Sequence, residues 1–187
     1  MKYPNMGNVE DWVLIGFGDA GIKSMPDKMT SIGGLVVLIY NRVTHATAVL
    51  SWRSKKLRRK VTSSLAGECY AMIGIIGELA YTKAVLAQIY GTRMQSIPTI
   101  VVTDCKNLEE SVHSSSLVED RWLITDIAAI KEALETKEVT EIRRVPSEKM
   151  IANCLTKAGA SGAELMTILR TGRYEMPEEW LTMERNC

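Results

Sequence analysis

The chain has 187 residues, 46% of them hydrophobic and 24% charged, and a formal net charge of +1. Such a composition excludes intrinsic disorder, is enough for one ordinary domain with a sizeable core, and points through whole-chain charge to no partner. No apolar run approaches the roughly 20 residues of a membrane-spanning helix, and the four scattered cysteines, Cys69, Cys105, Cys154 and Cys187, form no CxxC pair, so a disulfide framework, a zinc site and a membrane partner are not expected.

In chain order, "WVLIGFG" (12–18) is a short apolar strand that runs into Asp19. The Gly, Pro, Asp and Ser of "AGIKSMPDKMTS" make a turn. "IGGLVVLIYN" (32–41) and "HATAVLSW" (45–52) follow as a hairpin, giving three strands in an antiparallel meander. Hydroxyls in "TSS" (62–64) cap a helix whose stripe of Leu65, Met72, Ile76, Leu79 and Leu86 carries it to Tyr90–Gly91. "TIVVTD" (99–104) has the unbroken apolar centre of a strand buried on both faces. A short helix (105–112), a polar loop (113–118), a helix over Arg121–Leu134 and a strand over 139–145 come next. "SEKMIANCLTKAGA" reads as a helix with Ser147 as cap and Gly159 as stop, and a last helix spans about 162–171. The order predicts a single mixed α/β domain over residues 1–175, followed by a tail, 176–187.

Asp19 and Asp104 each stand at the C-terminal end of a buried-looking strand, the edge where open α/β sheets bind ligands. Taken singly, each is also what a strand-to-loop junction often carries. Glu68 lies one turn into the long helix, three residues after Leu65 and four before Met72, on the border of the apolar stripe. The macrodipole of a helix N-terminus stabilises a first-turn carboxylate; a hard divalent cation would do so too, and would account for the two Asp residues as well. Just upstream, "RSKKLRRK" (53–60) carries six basic side chains and no acid. It is either a solvated loop or a phosphate-tracking surface made by Arg53, Lys55, Lys56, Arg58, Arg59 and Lys60. Carboxylate-held metal beside a phosphate track points to phosphodiester hydrolysis.

"GFGDAG", "SIGG", "LSWRSKKLRRKVTSSLAGECYAM", "IVVTDCKN" and "RVPSEKMIANCLTKAGA" follow one another in an order and spacing that resembles a ribonuclease H domain, in particular the one that ends the polyproteins of copia-type LTR retrotransposons. The similarity covers about residues 11–172. It implies a ribonuclease H-like fold: a five-stranded mixed sheet, three strands antiparallel and two parallel, flanked by helices. It also implies an endonuclease that cuts the RNA strand of RNA–DNA hybrids with two Mg²⁺ ions, Mn²⁺ being able to substitute. In the family pattern Asp19 bridges both ions, and Glu68 and Asp104 hold the one nearer the leaving oxygen. The fourth ligand, normally Asp, falls at Asn153, whose amide oxygen can coordinate a cation but lacks the charge. Weakened catalysis is one implication, and an inactive or domesticated nucleic-acid-binding module is the alternative. The resemblance further implies an upstream reverse transcriptase and an intracellular setting, cytoplasmic in a virus-like particle or nuclear.

Overall fold

The structure, a computed structural model of the chain, describes residues 3–22, 30–58, 61, 63–91, 97–114 and 121–177. The expected turn at 23–29, most of the polar loop at 113–118, Arg59, Lys60 and the tail beyond Pro177 lie outside them.

Five strands form one sheet in the order β3-β2-β1-β4-β5: β1 (Trp12–Gly21), β2 (Ile32–Asn41), β3 (Thr47–Lys56), β4 (Thr99–Thr103) and β5 (Glu141–Arg144). The first three pair antiparallel, while β4 and β5 run parallel to β1. The expected mixed sheet is therefore present. Central β1 has all ten residues buried, because its neighbours β2 and β4 leave it no edge and both faces are covered.

Strand alternation sorts the apolar residues into two cores. Leu14, Leu35 and Val37 face the helices α1 (Ser64–Tyr90), α2 (Lys106–His113) and α3 (Arg121–Glu135). Val13, Ile15, Phe17, Val36 and Leu38 face the opposite side, where Met150, Ile151 and helix α4 (Ala163–Thr171) cover them.

Helix α1 starts where the Ser63 hydroxyl accepts the Ala66 amide at 3.2 Å, and stops at Gly91, whose φ of 67° is a left-handed terminator. By length and composition alone it could cross a membrane; here Cys69, Met72, Ile75, Ile76 and Leu79 lay it on the sheet as the core helix. The approach is close because β1 presents glycine towards it. A Cβ at Gly16 would stand 2.5 Å from Leu79 Cδ1 and 2.6 Å from Ile75 Cγ1, both in fully packed surroundings. Gly16→Ala is accordingly expected to cost about 1–3 kcal/mol by overpacking, read as a lowered urea midpoint with an unchanged m-value.

Two expectations need correction. Strand β3 does not end at Trp52 but pairs on through Gly33↔Lys55 and Ile32↔Lys56, so the first half of the basic run is strand. An edge strand tolerates, and is protected by, charged side chains. Nor is 147–158 one helix. It is two 3-10 turns, Ser147–Lys149 and Ile151–Leu155, separated by Met150 in extended backbone. Met150, Ile151 and Ala152 are all buried in succession, packed with the core on this side of the sheet. Ser147 makes no cap; its hydroxyl is used elsewhere.

Candidate metal centre

Chain geometry brings three acidic side chains together at one end of the sheet. The parallel β1–β4 register pairs Phe17 with Val102, and continuing it by two residues sets Asp19 beside Asp104. Glu68 arrives from the second turn of α1, across the end of β1. One carboxylate oxygen from each of Asp19, Glu68 and Asp104 lies within 4.8 Å of the others. Opposite Asp19 in β2 stands Gly34, where a Cβ would meet Thr156 Cγ2 at 2.6 Å and Leu155 Cβ at 3.0 Å. That glycine lets the segment after β5 close over the end of β1.

The closing segment surrounds the acids with donors. Ser147 Oγ donates to Asp104 Oδ2 at 2.7 Å, and the Thr156 hydroxyl donates to Asp19 Oδ2. Lys157 Nζ donates to Asp19 Oδ1 at 3.2 Å and stands 3.9 Å from Asp104 Oδ2. Asn153 sits among them: its Nδ2 donates to the Ser147 carbonyl at 2.6 Å, and its Oδ1 accepts from Lys157 Nζ at 2.6 Å. Asn153 thus joins the carboxylates through the Lys157 ammonium.

Asp19 is wholly buried and Glu68 is 8% exposed. Burial, followed by the neighbouring Asp19 and Asp104, pushes the Glu68 carboxyl up to about 8, although Lys157 and a backbone hydrogen bond with Ala20 oppose the shift. Among the described residues, Glu68 Oε2 is a buried side-chain oxygen without a hydrogen-bond partner. Native structures rarely leave such an atom unsatisfied. A hard divalent cation fits the site on three counts: all-oxygen donors, clustered acidic groups and an orphaned carboxylate oxygen on one of them.

The basic stretch lies beyond β2. Arg53, Lys55, Lys56 and Arg58 border a hollow of about 300 Å³ between the start of β2 and α1, lined also by Gly34 and Tyr70. Arg53 is partly neutralised by Glu78 at 3.6 Å. The described part of the run therefore presents positive charge beside the acidic end of the sheet.

Three participants escaped the sequence reading: Ser147, Thr156 and Lys157. The last two stand three and four residues beyond Asn153 within "IANCLTK", a spacing that returns side chains to one side of a turn. That spacing was the available signal. Cys69, beside Glu68, is fully buried in the core, and burial raises its thiol.

Solved structures share this architecture. LC11-RNase H1, isolated from compost by a metagenomic approach, aligns over 81% of this chain and 97% of its own, with a TM-score of 0.55 and 18% identity. Its complex with an RNA/DNA hybrid aligns over 76% of this chain and 93% of its own, with a TM-score of 0.52 and 16% identity. RNase H1 from the halophilic archaeon Halobacterium salinarum covers the same shares at a TM-score of 0.50 and 12% identity. No protein-family model and no curated protein sequence matches the chain. The fold is ribonuclease H-like, and it carries an acidic cluster able to hold metal.

Proposed function

We propose that this chain is a Mg²⁺-dependent endoribonuclease acting on the RNA strand of RNA–DNA hybrids, with Mn²⁺ as an effective substitute. The observation that carries the reading is the convergence of Asp19, Glu68 and Asp104 at one sheet end, with Glu68 Oε2 unpartnered. Divalent ions held there would activate water and stabilise the attacking and leaving oxygens. The protein's own contribution is positional. Thr156 fixes one oxygen of Asp19, and Ser147 fixes Asp104. Arg53, Lys55, Lys56 and Arg58 offer phosphate contacts that place a duplex without reading its sequence, as a ribonuclease acting on hybrid shape requires. Support for the copia-type setting is the motif pair "SWRSKK…SSLAGE" and "VPSEKMIANCLTK". In that setting the chain, as residues 1–175 with a tail, works downstream of a reverse transcriptase, intracellularly, in a cytoplasmic virus-like particle or the nucleus.

Asn153 favours a second reading, a module that binds hybrid without hydrolysing it. It supplies no charge, and its Oδ1 is taken by Lys157. A gel assay on an end-labelled hybrid separates the two. Asn153→Asp is expected to raise cleavage in Mg²⁺ by about tenfold or more, a barrier change of ~1.4 kcal/mol. Salt-sensitive hybrid binding with no product from either protein, in Mg²⁺ or Mn²⁺, would instead establish the binding module.

A further inference from the structure

Lys157 is placed by its own backbone. Its amide donates to the Asn153 carbonyl at 2.9 Å, an i to i+4 turn that puts the two side chains on one side. From there the ammonium reaches Asn153 Oδ1 at 2.6 Å, Asp19 Oδ1 at 3.2 Å and Asp104 Oδ2 at 3.9 Å. Those are three oxygens from three of the four positions assigned to metal, and the contact with Asn153 takes up the one oxygen that residue has to offer. A Mg²⁺ ion stands about 2.0–2.1 Å from its oxygens and demands near-octahedral geometry. It cannot share Asp19 Oδ1 and Asp104 Oδ2 with an ammonium already seated between them without strong repulsion between like charges.

We infer that Lys157 is a tethered counter-ion of the carboxylate cluster, held on the oxygens that a divalent ion needs, so that metal entry requires its displacement. This inference rests on the metal reading above and adds a device to it. In the metal-free protein the ammonium offsets repulsion among the three acids. Its side chain is 42% exposed, and a four-carbon stem with a strongly hydrated head can swing into solvent when an ion arrives. Lys157 is thus a positioning residue that sets the threshold of divalent ion at which the site fills.

The test is calorimetric titration of MnCl₂ into the whole chain, compared with Lys157→Met, Lys157→Gln and Lys157→Arg, alongside thermal unfolding in EDTA and in Mg²⁺. Lys157→Met and Lys157→Gln are expected to bind Mn²⁺ about tenfold more tightly, whereas Lys157→Arg, which keeps the charge, stays near the unaltered protein. Both neutral variants should have a lower Tm in EDTA and a larger Mg²⁺-induced rise, because tighter binding to the folded state stabilises it. A lysine that merely braced the fold would lower Tm equally in both media and leave the Mn²⁺ affinity unmoved, and that result overturns the inference alone. Failure of every protein to bind Mn²⁺ overturns the metal reading itself, and the inference with it.

Discussion

Asp19→Asn is expected to abolish hybrid cleavage, reducing turnover by about 10³-fold or more, a barrier increase of at least ~4 kcal/mol, while the fold survives. Asp19 is wholly buried at the end of the central strand, and both its oxygens are engaged, one by the Thr156 hydroxyl and one by Lys157. Asparagine keeps that shape. Its carbonyl oxygen can accept from one of these donors, and its amide can face Thr156, whose hydroxyl both donates and accepts. What is lost is the negative charge at the residue central to the cluster, and with it most of the attraction for a divalent cation. The loss should fall on chemistry rather than on substrate contact. The basic residues of β3 and Arg58 lie beyond β2 from Asp19, so hybrid affinity at low salt should change little. Parallel gel-shift and cleavage assays on one labelled hybrid measure both. Undiminished cleavage by Asp19→Asn would refute the assignment of the metal centre.

How much of this could be read beforehand depends on how local each cause is. Strands β1, β2 and β4 were legible because unbroken apolar runs such as "WVLIGF" and "TIVV" suit burial on both faces and end at turn residues. Helix α1 was legible at both ends, Ser63 supplying the cap and Gly91 the left-handed stop. Asp19, Asp104 and Glu68 could be singled out because each occupies a strand end or an early helical turn, positions that topology brings together. The misreadings have non-local causes. The extension of β3 is decided by its partner β2, since Lys55 and Lys56 are strand residues only because Gly33 and Ile32 pair with them. Ser147 has the composition of a helix cap, but its hydroxyl is drawn to Asp104, 43 residues earlier. A side chain that finds a distant partner no longer serves its own backbone. The same cause hid the role of Lys157: its spacing sets it on one side of a turn with Asn153, but its ion pair is with Asp19, 138 residues earlier.

The second large effect is on stability and belongs to Glu68. In the folded, metal-free protein its carboxyl is raised from 4.5 to about 8, first by burial and then by Asp19 and Asp104. The unfolded chain ionises it near the ordinary value, so between those two limits the unfolded state binds fewer protons than the folded one. Stability then falls as pH rises. The penalty is absent below the ordinary carboxylate range, grows by at most ~1.4 kcal/mol per pH unit, and is complete above about 8. From pH 5.5 to pH 8 in EDTA, this group alone should therefore lower the unfolding free energy by about 2–3 kcal/mol. Glu68→Gln retains the shape, carries no proton to lose, and is expected to flatten this part of the profile and to exceed the parent in stability at pH 8. Saturating Mg²⁺ should flatten the parent's profile too, since a cation on the carboxylate favours the ionised form in the folded state, but it should leave the glutamine variant's profile nearly unmoved. Urea midpoints at several pH values, with EDTA and with Mg²⁺, decide the matter. Parallel EDTA profiles for the two proteins would mean that Glu68 is already satisfied in the metal-free fold, and the orphaned oxygen would no longer argue for a cation.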